Sequence, residues 1–82
     1  MNYIATFFSH FGAMRFHKLC GRAGWVSKPG PVPRDLSSSC GTCVRYQTGD
    51  DFFPCGEIPE ELEQIVEASD SGYILKYRAR GS

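Results

Sequence analysis

With 82 residues the chain makes one small domain, near the size where a single hydrophobic core leaves little net stability and little room for a deep pocket. Nine Lys and Arg against nine Asp and Glu give a formal net charge of zero, which excludes a general nucleic-acid footprint. The opening MNYIATFF has no basic n-region, long apolar run or small-residue cleavage site, so the sequence predicts no signal peptide, no membrane span and a cytoplasmic protein.

Asn2 to Phe8 is rich in aromatic and β-branched residues and apolar on both faces, which predicts a central strand. Ser9 caps a helix in which Ala13, Phe16, Leu19, Cys20 and Ala23 share one side, with Arg15, Lys18 and Arg22 largely off it. Trp25 to Lys28 forms a short strand running into Pro29, Pro31 and Pro33. Proline cannot donate to a ladder, so this strand belongs at a sheet edge. Cys43 to Thr48 alternates, Val44 and Tyr46 on one face and Arg45 and Gln47 on the other, as a third strand. After a loop over Gly49 to Gly56, Pro59 suits the first turn of a second helix, with Glu60 and Glu61 at its positive end and a stripe of Ile58, Leu62, Ile65 and Val66. Ser71 and Gly72 end that helix, and Tyr73 to Arg78 makes the last strand.

The order β-α-β-β-α-β predicts an α+β, ferredoxin-like two-layer sandwich spanning one domain, residues 1–82 with an ordered core over about 2–78. It has a four-stranded antiparallel sheet, two helices on one face and the other face open. Tyr3, Phe7 and the Phe52–Phe53 pair are either a buried aromatic core or part of a homo-oligomer contact. Acidic side chains crowd Asp50 to Asp70 while Arg15, Lys18 and Arg22 mark the first helix, as solvated faces or as a charged docking surface. The first and second strands run parallel in this topology. Their C-terminal ends place His10, the loop after the second strand and the turn Ser69 to Gly72 at one edge; Gly21 to Gly24 and the Cys55 loop belong to the opposite edge.

In a secreted chain Cys20, Cys40, Cys43 and Cys55 would read as two disulfides, whereas in a reducing compartment they read as reactive, metal-binding or buried thiols. Cys20 lies in the apolar stripe and reads as a small hydrophobe; Cys55 reads as an incidental loop residue. The segment Pro31 to Cys43, PVPRDLSSSCGTC, has no apolar periodicity and reads as a shaped loop presenting Cys40. Arg34, His10 and the helix N-terminus would lower its thiol pKa from the free value near ~8.5. Ser37, Ser38 and Ser39, with the backbone N–H groups before Gly41, supply a nest for an anionic sulfur or selenium species. An incidental cysteine in a polar turn is the plain alternative. Cys43 is a resolving thiol for a Cys40–Cys43 disulfide, or part of a zinc knuckle that would need two more ligands where only His10 lies close. The expectation is no metal and no organic cofactor.

Pro31-Val-Pro-Arg34 followed by Ser37-Ser-Ser-Cys40-Gly41 resembles the small bacterial family described as "Putative Se/S carrier protein-like", over nearly all of the chain from Tyr3 through Tyr77. The resemblance implies selenium or sulfur carried on a cysteine, here Cys40, with Cys43 and Cys55 as additions to the family pattern. General chemistry then expects a donor protein such as a cysteine desulfurase, a separate acceptor, and a carrier or binding protein more than a turnover enzyme. No nucleic acid or membrane is expected as a partner. The competing functions are a Cys40/Cys43 dithiol redox module and a non-catalytic binding or regulatory domain, since fold alone does not fix function.

Overall fold

The structure, a computed structural model, describes residues 2–36, 38–49 and 60–79. Asn2–Phe7 (β1) is followed by the helix His10–Arg22 (α1), then Val26–Pro31 (β2), Thr42–Gln47 (β3), Leu62–Ser69 (β4) and Gly72–Arg78 (β5). The strands form one antiparallel five-stranded sheet in the order β2-β3-β1-β4-β5. The expected central strand is therefore central, and its burial explains its composition: Tyr3, Ala5 and Phe7 pack on the helix side, while Ile4 belongs to a smaller cluster on the other. The proline-bearing strand is at an edge, where a missing N–H costs no ladder bond.

Local chemistry starts α1 where the sequence predicts. Ser9 is extended (φ −144°, ψ 153°), and its Oγ accepts the Gly12 N–H at 3.1 Å, satisfying one of the donors a helix start leaves unpaired. Gly12, Ala13, Phe16 and Cys20 form its buried side. Gly12 is required by proximity: a Cβ there would sit 2.3 Å from Glu61 Cβ. Ala23, expected in the stripe, is exposed just past the helix end. Tyr46 stands at the centre of the core, with ring centroids 5.4 Å from Tyr3, 5.2 Å from Phe16 and, stacked, 5.8 Å from Trp25. Such pairs contribute about 0.5–1.5 kcal/mol each beyond burial. Tyr3 and Phe7 are thus core residues; Phe52 and Phe53 lie outside the described residues.

Three expectations are corrected. The sheet has five strands and the described residues contain one helix, because Leu62, Ile65 and Val66 of the expected second-helix stripe belong to β4. The deception has a physical cause. Leu62 pairs with Phe7 and Ile65 with Ala5, with a register shift between Thr6 and Phe7. A bulge adds one residue to a strand, so positions three apart share a face, as they would on a helix. Tyr3 pairs with Glu67, so the Ser69–Gly72 turn lies beside the start of β1, at the edge opposite Cys40. Finally, the sheet face away from α1 is partly covered: Val32 and Leu36, from the loop after β2, pack on Ile4, Cys43 and Val66. The start of the chain's predicted second helix, at Ile58 and Pro59, and Cys55 lie outside the described residues.

Candidate functional site

β1 and β2 each run antiparallel to β3, which lies between them. Their C-terminal ends therefore share an edge with the first residues of α1, as the topology expects. The loop from Val32 to Gly41 leaves and returns there. Its neck is closed by the Val32 N–H on the Gly41 carbonyl at 3.1 Å, and Gly41 takes φ +74°, a left-handed conformation that glycine adopts without strain. In between, the Leu36 N–H donates to the Pro33 carbonyl at 3.1 Å, and the Tyr73 hydroxyl donates to Asp35 Oδ1 at 3.0 Å. These bonds fold the first half of the loop onto the sheet face opposite α1. Arg34 is exposed beside Asp35, with no hydrogen bond or ion pair to another described residue.

The second half of the loop is held by Glu63, one of the acidic side chains crowded between Asp50 and Asp70. Its Oε1 accepts the Ser39 N–H at 3.1 Å and the Thr6 hydroxyl at 3.2 Å, and its Oε2 accepts the Ser39 hydroxyl at 2.7 Å. Hydrogen bonds to a charged acceptor are the stronger kind. Glu63 occupies the additional position that the bulge gives β4 between Leu62 and Gln64. A sequence signal exists only in retrospect: a carboxylate inside a strand beside three serines with N–H and O–H donors to satisfy. Ser38 Oγ is buried with no hydrogen-bond partner among the described residues. Ser37 lies outside them.

Cys40 is half-buried and leans on the helix-side core. Its thiol donates weakly to the Thr42 carbonyl at 3.6 Å, and His10 Nδ1 lies 3.3 Å from the Thr42 hydroxyl. The structure thus gathers Cys40, Gly41, Ser39 and His10 at one edge, and carries Arg34 away over the other face. Phe8 and Phe11, 38% and 71% exposed, flank Ser9 and His10 in the chain.

Cys43, three positions later, is fully buried in the small cluster on the opposite sheet face. Its thiol donates to the Pro31 carbonyl at 3.5 Å. Burial pushes its pKa up, opposed by the nearby Arg45 charge and a hydrogen bond from Arg45, and the neighbouring Cys40 thiol adds a smaller upward push. Cys20 is fully buried on the inner side of α1. All three described cysteines are free thiols. Among the described residues no group of three His, Cys, Asp or Glu side chains is placed to hold a metal ion, and no helix is long and apolar enough to cross a membrane.

Residues 2–70 match the family model described as "Putative Se/S carrier protein-like". No curated protein and no solved structure matches the chain.

Proposed function

We propose, from the premise that this chain belongs to the family described as "Putative Se/S carrier protein-like", that it carries sulfur or selenium on Cys40. The single observation behind the choice of thiol is access: of the three described cysteines, Cys20 and Cys43 are fully buried and Cys40 is not. A nucleophilic thiolate must reach its donor, and a buried thiol is inert.

In the forward step the Cys40 thiolate attacks the outer sulfur of a donor persulfide R–S–SH. The donor S–S bond breaks, R–S⁻ leaves, and Cys40–S–SH forms; the selenium case gives Cys40–S–SeH from R–S–SeH with the same leaving group. An acceptor nucleophile then takes the outer atom and the Cys40 thiolate leaves. No net oxidant is needed, because the chalcogen arrives already at its working oxidation state. Ser39 is occupied by Glu63, whereas the Ser38 hydroxyl retains a donor for the carried anion. His10 and the exposed Phe8 and Phe11 give the edge an apolar, partly polar rim for the donor, a cysteine desulfurase in a reducing cytoplasm.

The dithiol alternative is disfavoured by the placement of the two thiols against opposite faces of the sheet, since a disulfide needs Cα atoms within about 7 Å and Cβ vectors that converge. The test is sulfur transfer from a cysteine desulfurase supplied with cysteine, read by intact-protein mass spectrometry. The wild type and Cys43→Ala are expected to gain one sulfur atom and Cys40→Ser none. Equal loading of Cys40→Ser overturns the assignment.

A further inference from the structure

The sheet face away from α1 is divided in two. The loop covers the end around Cys43, Ile4 and Val66. Beyond it lies a groove of about 390 Å³ whose lining includes Asn2, Ile4, Val26, Lys28, Arg45 and Ala68, and a second hollow of about 330 Å³ continues from Lys28 and Arg45 along Pro29 to Pro31. Register explains the composition of this face: Lys28 pairs directly with Arg45, and Arg45 with Ile4. Directly opposed residues on one face of a sheet are neighbours, and like charges there repel.

No acidic side chain among the described residues forms an ion pair with Lys28 or Arg45. The ion pairs are Arg15 with Glu61 and Lys76 with Glu67. Asp35, which the loop brings to this face, accepts the Tyr73 hydroxyl and keeps its negative charge without pairing with either cation, and Glu63 is held by Ser39 and Thr6. Burial raises the Cys43 pKa and the bond to Asp35 raises that of Tyr73. The Arg45 charge acts in the opposite sense on both, which marks its guanidinium as near each of them. Two cations are therefore held side by side at the edge of a groove whose lining joins Ile4, Val26 and Ala68 to the polar Asn2 and Gln47. Local conflicts of this kind are expected at functional sites.

We propose that this groove binds a small organic oxyanion: a carboxylate or phosphate head between Lys28 and Arg45, and a short apolar body along Ile4, Val26 and Ala68. A planar guanidinium grips such a head through two parallel bonds, and the ammonium adds a point charge. The volume falls within the range of small-molecule sites, roughly 300–1,000 Å³. The site lies apart from Cys40 and does not rest on the carrier reading.

The test is an amide NMR titration of the whole chain with hexyl phosphate and hexanoate, with inorganic phosphate and hexanol as the two halves of the ligand. One charged, tailed probe is expected to shift the Ile4, Lys28, Arg45 and Ala68 amides saturably, at least about 10-fold more tightly than either half; the better of the two names the head group. The double variant Lys28→Gln, Arg45→Gln is expected to lose that binding by about 10-fold or more, while Arg22→Gln at the end of α1 keeps it. Because removing one cation relieves repulsion, Lys28→Gln alone is expected to keep or raise the Tm. The proposal fails if no probe saturates, if hexanol binds as well as the charged probes, if the double variant binds unchanged, or if Lys28→Gln lowers the Tm.

Discussion

Cys40 and Cys43 differ by three positions and by almost everything a thiol responds to. Cys40 stands on an irregular loop after β2, half-buried, against the helix side of the sheet. Cys43 stands within the ladder of β3, fully buried, against the other side and beneath Val32 and Leu36. The alternation of a strand sends Cys43 inward under the loop, and the same loop holds Cys40 at the rim. A Cys-x-x-Cys spacing is thus no guarantee of a working pair. What separates the thiols is which one the backbone pleat has already committed to a face.

Native alkylation separates the two thiols most strongly. Reaching Cys43 requires the loop to lift, and an opening that costs ~3 kcal/mol slows its modification by about 100-fold relative to Cys40. Iodoacetamide labelling with site assignment by mass spectrometry is expected to show that gap, and the gap is expected to close in denaturant.

Glu63→Ala comes next in size. It removes the acceptor for two Ser39 donors and the Thr6 hydroxyl, at an expected cost of about 2–3 kcal/mol by urea unfolding. It frees the half of the loop that bears Cys40, while the half over Cys43 keeps its Asp35–Tyr73 bond. Ser9→Ala is milder, about 1 kcal/mol, through the lost helix cap. It acts at the Cys40 edge only, so Cys43 labelling in that variant is expected to stay slow.

The smallest effect is in the pH dependence. The folded state holds the Cys43 pKa above its unfolded value, so it binds the thiol proton more tightly than the unfolded chain does. The resulting stability is fully present below the unfolded thiol pKa of about 8.5 and is lost as pH rises through the folded value. Chemical denaturation from pH 7.5 upward is expected to show that decline, with a flatter profile for Cys43→Ala. Tyr73, also raised by its bond to Asp35, adds a loss of the same sign nearer pH ~10.

The sequence made legible whatever was decided locally. Ser9 and the stripe from Ala13 to Cys20 announce α1; the apolar run of Asn2 to Phe8 announces a strand covered on both sides; Pro29 and Pro31 announce an edge. β4 was not legible, because its bulge gives Leu62 and Ile65 a helical spacing, and only pairing with Phe7 and Ala5 removes the ambiguity. The Cys40 loop was recognisable as a shaped segment, yet its path was hidden. Val32 and Leu36 are two isolated apolar residues with no period, and their destination, the patch of Ile4, Cys43 and Val66, exists only once the sheet has formed. The role of Glu63 was hidden for the same reason: its partners, Thr6 and Ser39, lie 57 and 24 positions away.

The claim that Cys40 carries the chalcogen while Cys43 serves the fold is tested most directly by locating the transferred atom on the unmutated chain. The fully reduced protein would be incubated with a cysteine desulfurase and cysteine, its persulfides trapped by alkylation, and the peptides bearing Cys20, Cys40, Cys43 and Cys55 sequenced by mass spectrometry. The additional sulfur is expected on Cys40, with none on Cys43. Sulfur found on Cys43, or on no cysteine while the enzyme turns over, would contradict the claim.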